Sequence, residues 1–60
     1  MYVIERTDQG GGWVSAPGSE HSYTHDLRKA RVYRKLKEAM NDRCDNEVVR
    51  NLEDLLHITD

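Results

Sequence analysis

Along the chain, apolar residues gather in four places separated by polar or glycine-rich breaks. The first is Tyr2-Val3-Ile4, a run of strong strand formers followed by polar Glu5-Arg6-Thr7. Asp8-Gln9-Gly10-Gly11-Gly12 then supplies residues that tolerate the positive φ of a chain reversal. Trp13-Val14-Ser15-Ala16 returns, and Pro17-Gly18-Ser19 stops the run, because proline cannot donate to a ladder. These segments predict a β-hairpin over residues 2–16. After a polar stretch from Ser19 to His25, the densest apolar spacing of the chain runs from Asp26 to Met40. Glu47-Val48-Val49-Arg50-Asn51-Leu52 predicts a last strand, and Glu53 to Ile58 a final turn, with Thr59-Asp60 fraying.

The middle stretch admits two readings. Leu27, Ala30, Tyr33, Leu36, Met40 and Cys44 recur at intervals of three and four, the stripe of a single helix from His25 to Arg43 capped by Thr24. The alternative is a helical turn at 25–30, a short strand at Arg31-Val32-Tyr33 and a helix over 35–43. The fold class expected is α+β: a small sheet from the hairpin, a short third strand and a C-terminal strand, packed on one face against one main helix. Expected core members are Val3, Val14, Leu27, Ala30, Val32, Leu36, Ala39, Met40, Val48, Leu52 and Leu55.

Charge changes this picture more than composition does. The 60 residues form one domain at most and carry a net charge of −2. Residues 27–37, however, hold six cations and no acid (Arg28, Lys29, Arg31, Arg34, Lys35 and Lys37), while residues 38–60 hold seven acids against two arginines. Such separation steers encounters with charged partners. The basic block with Tyr33 for stacking is a candidate nucleic-acid surface, but modules of that kind usually have a basic overall balance. A solvated helix face is the plain alternative for this block; of the two binding readings, protein recognition is preferred over nucleic acid. Acids such as Glu47, Glu53 and Asp54 form a second candidate surface, able to imitate a phosphate backbone in a partner's Arg/Lys groove. Trp13 and Tyr33, with Tyr2 and Tyr23, are the aromatics suited to anchor a partner.

Chemistry-bearing constellations are thin. His21 and His25 make one close pair, with Cys44 and His57 remote, whereas zinc sites usually take two close pairs. Ser19, Ser22, His21, His25 and Asp26 fit a polar loop and helix cap better than a triad, which needs a shaped pocket. Cys44 falls on the apolar spacing and is expected to act as a small hydrophobe. Gly10 to Gly12 lacks the following Lys-Ser/Thr of a phosphate cradle. No catalytic residue, metal or cofactor is expected. A single cysteine fits a reducing compartment, and the absence of a long apolar run argues against a signal peptide or membrane span, so the expected setting is the cytoplasm. A core this small is commonly supported by oligomerisation, so a homodimer is permitted.

Taken together, Tyr2-Val3-Ile4, Gly10-Gly11-Gly12-Trp13-Val14, Ser22-Tyr23-Thr24 with Leu27 and Ala30, Val32-Tyr33, Ala39 and Asn46-Glu47-Val48-Val49 resemble a type of very small protein often encoded by bacteriophages. In such proteins Ser or Thr tends to cap the helix after the third strand; here Arg34-Lys35 stand at that point. The resemblance implies a phage accessory protein that binds and disables a host factor, CRISPR–Cas complexes included.

Overall fold

The structure, a computed structural model, describes residues 1–56. The final turn expected to run on through His57 and Ile58, and the fraying expected of Thr59-Asp60, therefore lie outside the described residues. The chain folds as the α+β class. Strands β1 (Tyr2–Arg6), β2 (Trp13–Val14), β3 (Tyr23–Thr24) and β4 (Glu47–Asn51) form one antiparallel sheet in the order β3-β2-β1-β4. Helix α1 spans Leu36–Asp42, and α2 spans Leu52–Leu56 directly after β4.

The predicted hairpin is present, with Glu5 opposite Trp13. Its reversal runs through Gln9, Gly10, Gly11 and Gly12, all at positive φ. Gly12 is the most constrained, since a Cβ there would meet the Thr24 carbonyl oxygen at 3.4 Å. The third strand lies at Tyr23–Thr24, inside the stretch expected to be loop. Residues 29–33 do reach the sheet, but as a wedge. Arg31 N–H donates to the Val14 carbonyl, Ala16 N–H to that of Lys29, and Tyr2 and Tyr33 exchange two bonds of 2.7 Å. The wedge thus fills the edge that β2 and β1 leave unpaired beyond Glu5↔Trp13.

Those four bonds explain why a single helix over 25–43 does not form. A helix would have to break every one of them. The chain instead makes one 3-10 turn at Leu27–Lys29, becomes extended at Ala30 (φ −74°, ψ 150°), and is extended again at Lys35 before α1 begins. Asp26, rather than Thr24, caps the 3-10 turn by accepting from Arg28 N–H; the Thr24 hydroxyl accepts from Asp26 N–H.

Adjacent strand residues point to opposite faces of a sheet. Val3 and Ile4 are both essentially inaccessible, so both faces of β1 are covered rather than the one expected. On the α1 side Ile4 packs with Tyr33 and Ala39, joined by Tyr2, Val14 and Val49. Several expected core positions are corrected. Val3, Ala30 and Ala39 are buried; Val14, Leu27, Leu52 and Leu55 are half-buried; Val32, Leu36, Met40 and Val48 are exposed. The reason is phase. With α1 starting afresh at Leu36, its inward residue is Ala39, and Leu36 and Met40 rotate outward. On β4 it is Val49, opposite Ile4, that turns inward, so Val48 lies on the other side. Cys44, expected to pack as a small hydrophobe, is exposed for the same reason: it lies beyond the end of α1.

Candidate functional site

The basic block borders more than one depression. The segment carrying it passes from the 3-10 turn through the wedge to α1, and four of its six cations line three different depressions. Arg28 stands beside an apolar groove with Leu27, Val32, Leu52 and Leu56. Lys29 lines a polar hollow with Ser15, Ser19, Glu20 and Tyr23. Arg31 and Arg34 line a third cleft, of about 370 Å³, between the wedge and α1. Lys35 and Lys37 are exposed at the start of α1.

This cleft between wedge and helix is the candidate site. The wedge contributes Arg31, Val32 and Tyr33, and Arg34 follows directly after it; α1 contributes Glu38, Asn41 and Asp42. Residues 38, 41 and 42 are three and four apart, so one side of the helix presents all of them. Tyr33 is 6% exposed, and its hydroxyl donates to Asp42 Oδ2 at 2.9 Å. Burial, reinforced by that bond to a carboxylate, pushes the Tyr33 phenol up to about 12. The Arg31 guanidinium lies 4.8 Å from the centre of the Tyr33 ring and 3.8 Å from Asp42 Oδ2. It is held by a cation–π contact and by charge. Arg31, Tyr33 and Asp42 therefore form a fixed back wall. Arg34 and Glu38, at the same cleft, have no salt-bridge partner within 4.0 Å among the described residues. The formal charges around the cleft cancel: two guanidiniums stand with two carboxylates.

The remaining sequence-predicted residues are placed elsewhere. Arg28 makes a two-pronged pair with Asp26 at 3.0 and 3.1 Å, and its guanidinium holds that carboxyl below the usual carboxylate range. Trp13 is half-buried in β2 opposite Glu5. Tyr33 is a core residue more than an exposed anchor. Glu53 pairs with the Met1 amino group, and Asp54 is exposed on α2. Glu47 is corrected outright: it is 4% exposed, accepts from the Tyr23 hydroxyl and from Cys44 N–H (2.8 Å), and belongs to the interior. A buried carboxylate held by two donors cannot serve as a docking charge. Tyr23, in turn, is stacked under Arg6, 4.4 Å from its ring centre. Among the described residues, no group of three or more His, Cys, Asp or Glu side chains is placed to hold a metal ion. No described helix is long and apolar enough to cross a membrane.

Glu38, Asn41 and Asp42 are the cleft residues that sequence reading missed. Their spacing on one helix face was visible, but which face met the wedge depended on where α1 began. The fold and cleft describe a small α+β protein with a charge-balanced recess and a rigid back wall. No protein-family model, curated protein or solved structure matches the chain.

Proposed function

We propose that the chain is a non-catalytic binding protein that docks on a bacterial protein complex and inhibits it, with the cleft between wedge and α1 as its recognition surface. The resemblance to small phage proteins suggests the setting: a phage accessory protein acting in the host cytoplasm, a CRISPR–Cas surveillance complex being one class of target. The observation that carries the binding part is the pairing of a fixed wall, Arg31–Asp42–Tyr33, with two opposite charges, Arg34 and Glu38, that have no ion-pair partner among the described residues. A preorganised wall lowers the ordering cost of association. Opposite charges lining one cleft match a mixed-charge protein surface better than an all-anionic one.

The second reading, a nucleic-acid binder, has the six cations of residues 27–37 in its favour. Dispersal of those cations over separate depressions, and the two carboxylates in the cleft, weigh against a continuous phosphate track.

The immobilised chain should retain one defined complex from nuclease-treated bacterial lysate at physiological salt. Arg34→Glu and Glu38→Lys should each weaken that retention roughly tenfold, the scale of a hot-spot loss. Retention of no protein, together with salt-sensitive retention of nucleic acid from untreated lysate, would reverse the order of the two readings.

A further inference from the structure

In the cleft between the wedge and α1 the formal charges cancel, but the charged groups are not equally ready for a visitor. Among the described residues, the side chains of Arg31, Arg34, Glu38 and Asn41 make no hydrogen bond. Asp42 already accepts from the Tyr33 hydroxyl. Of the open groups, only Arg31 is also held in place. Its backbone N–H donates to the Val14 carbonyl at 2.8 Å, which fixes the root of the side chain in the wedge. Its guanidinium lies 4.8 Å from the centre of the Tyr33 ring, which fixes the tip. Asp42 stands 3.8 Å away, beyond hydrogen-bond length, so it holds the guanidinium by charge without consuming an N–H. The side chain is 44% exposed. Arg31 is therefore a fixed, reachable fork of unspent donors.

We propose that the partner surface seats a carboxylate, an Asp or Glu side chain, on the Arg31 fork; this rests on the reading above that the cleft docks a protein. A planar guanidinium grips a carboxylate through two parallel N–H···O bonds, and one already stacked on a ring loses little freedom in doing so. Arg34, exposed and three residues further on, adds charge to the same cleft. Phosphate is disfavoured because Glu38 and Asp42 line the cleft as well. Their repulsion grows with the charge of the visitor, and a phosphate carries up to about twice that of a carboxylate. A cationic visitor is disfavoured for a different reason. It would find Asp42 already engaged by Tyr33 and Arg31, and Glu38 exposed with nothing to hold its carboxylate in place among the described residues. Arg31 thus sets specificity through its shape, whereas Arg34 acts through its charge.

Nitrogen-15 NMR of the full chain, following the Arg31 Nε–H and the Tyr33 amide, tests this. The probes are acetylated and amidated tripeptides with one aspartate or one lysine between glycines, and inorganic phosphate, all at matched ionic strength. The aspartate peptide should shift both signals saturably in the millimolar range and bind at least about threefold more tightly than phosphate or the lysine peptide. Arg31→Lys keeps the charge and loses the fork, so it should weaken the aspartate peptide at least about threefold. Arg34→Lys should cost less than about twofold, and Lys29→Gln, in another hollow, should change nothing. Glu38→Gln should tighten phosphate more than the aspartate peptide, since the more highly charged anion gains more from losing a neighbouring negative charge. No saturable shift at Arg31, phosphate or the lysine peptide binding as tightly as the aspartate peptide, or an Arg31→Lys chain that binds like the wild type overturns the proposal. The probes need no partner complex, so a chain that binds the aspartate peptide at Arg31 yet retains no protein from lysate overturns the docking reading instead.

Discussion

Two phenol–carboxylate pairs set the residue-scale chemistry, Tyr33 with Asp42 and Tyr23 with Glu47, and both have checkable consequences. Tyr33, itself buried, joins its phenol to Asp42 at the wall of the cleft, and its folded value near 12 stands above the usual 10. The protonated phenol is the form the fold favours. Its contribution is therefore complete below pH 10 and is lost as pH rises through about 12. Stability measured by urea unfolding should fall over that window, and Tyr33→Phe should flatten the fall. Near-ultraviolet titration should show a tyrosine ionising about pH 12 that Tyr33→Phe removes. Tyr23 poses the opposite problem. Its hydroxyl is one of two donors that keep Glu47 tolerable in the interior. Tyr23→Phe leaves that carboxylate short of a partner, at a cost of about 1–3 kcal/mol in urea unfolding. Neither role was legible in the sequence, where Tyr33 and Glu47 stood as surface candidates within charged neighbourhoods. Burial of a tyrosine among arginines follows from the wedge geometry, and nothing local announces it.

Elements were more legible than their contents. Three glycines after Asp8-Gln9 leave little choice but a reversal, and the hairpin formed where expected. The run Glu47-Val48-Val49 gave β4 within a residue of its observed end. β3 escaped because two residues within a polar stretch carry no alternation to detect. The 25–43 region was readable only as a choice between two patterns, and tertiary hydrogen bonds to Val14 and Tyr2 decided it. That decision leaves a weakness at the start of α1. Lys35 holds the N-cap position with extended geometry (φ −119°, ψ 138°), but its side chain makes no cap bond. Its positive charge also faces the positive end of the helix dipole. Lys35→Asp or Lys35→Ser should therefore stabilise the fold by about 1 kcal/mol, read as a raised urea midpoint with unchanged slope. A midpoint that fell would mean the Lys35 stem packs usefully against α1 instead.

At the scale of the whole molecule, sequence and structure disagree most over charge. Six cations in eleven residues look like a stripe, yet the chain turns twice within them and sends Arg28, Lys29 and Arg31 with Arg34 to different depressions. Linear density is a property of the chain; surface density depends on where the wedge turns. The two functional readings then separate by their salt response. A phosphate track using all six cations would lose affinity with a log–log slope of about −5. A cleft that engages a protein surface through one arginine and one glutamate, neither ion-paired among the described residues, should show only a shallow salt dependence. Partner retention should accordingly fall only modestly between low and physiological salt. Arg34→Glu should abolish most of that dependence, while Lys29→Glu, which lies in another hollow, should leave both affinity and slope nearly unchanged. Equal losses at Lys29 and Arg34, with a steep slope in the wild type, would mean that the separated cations act together on one extended polyanion.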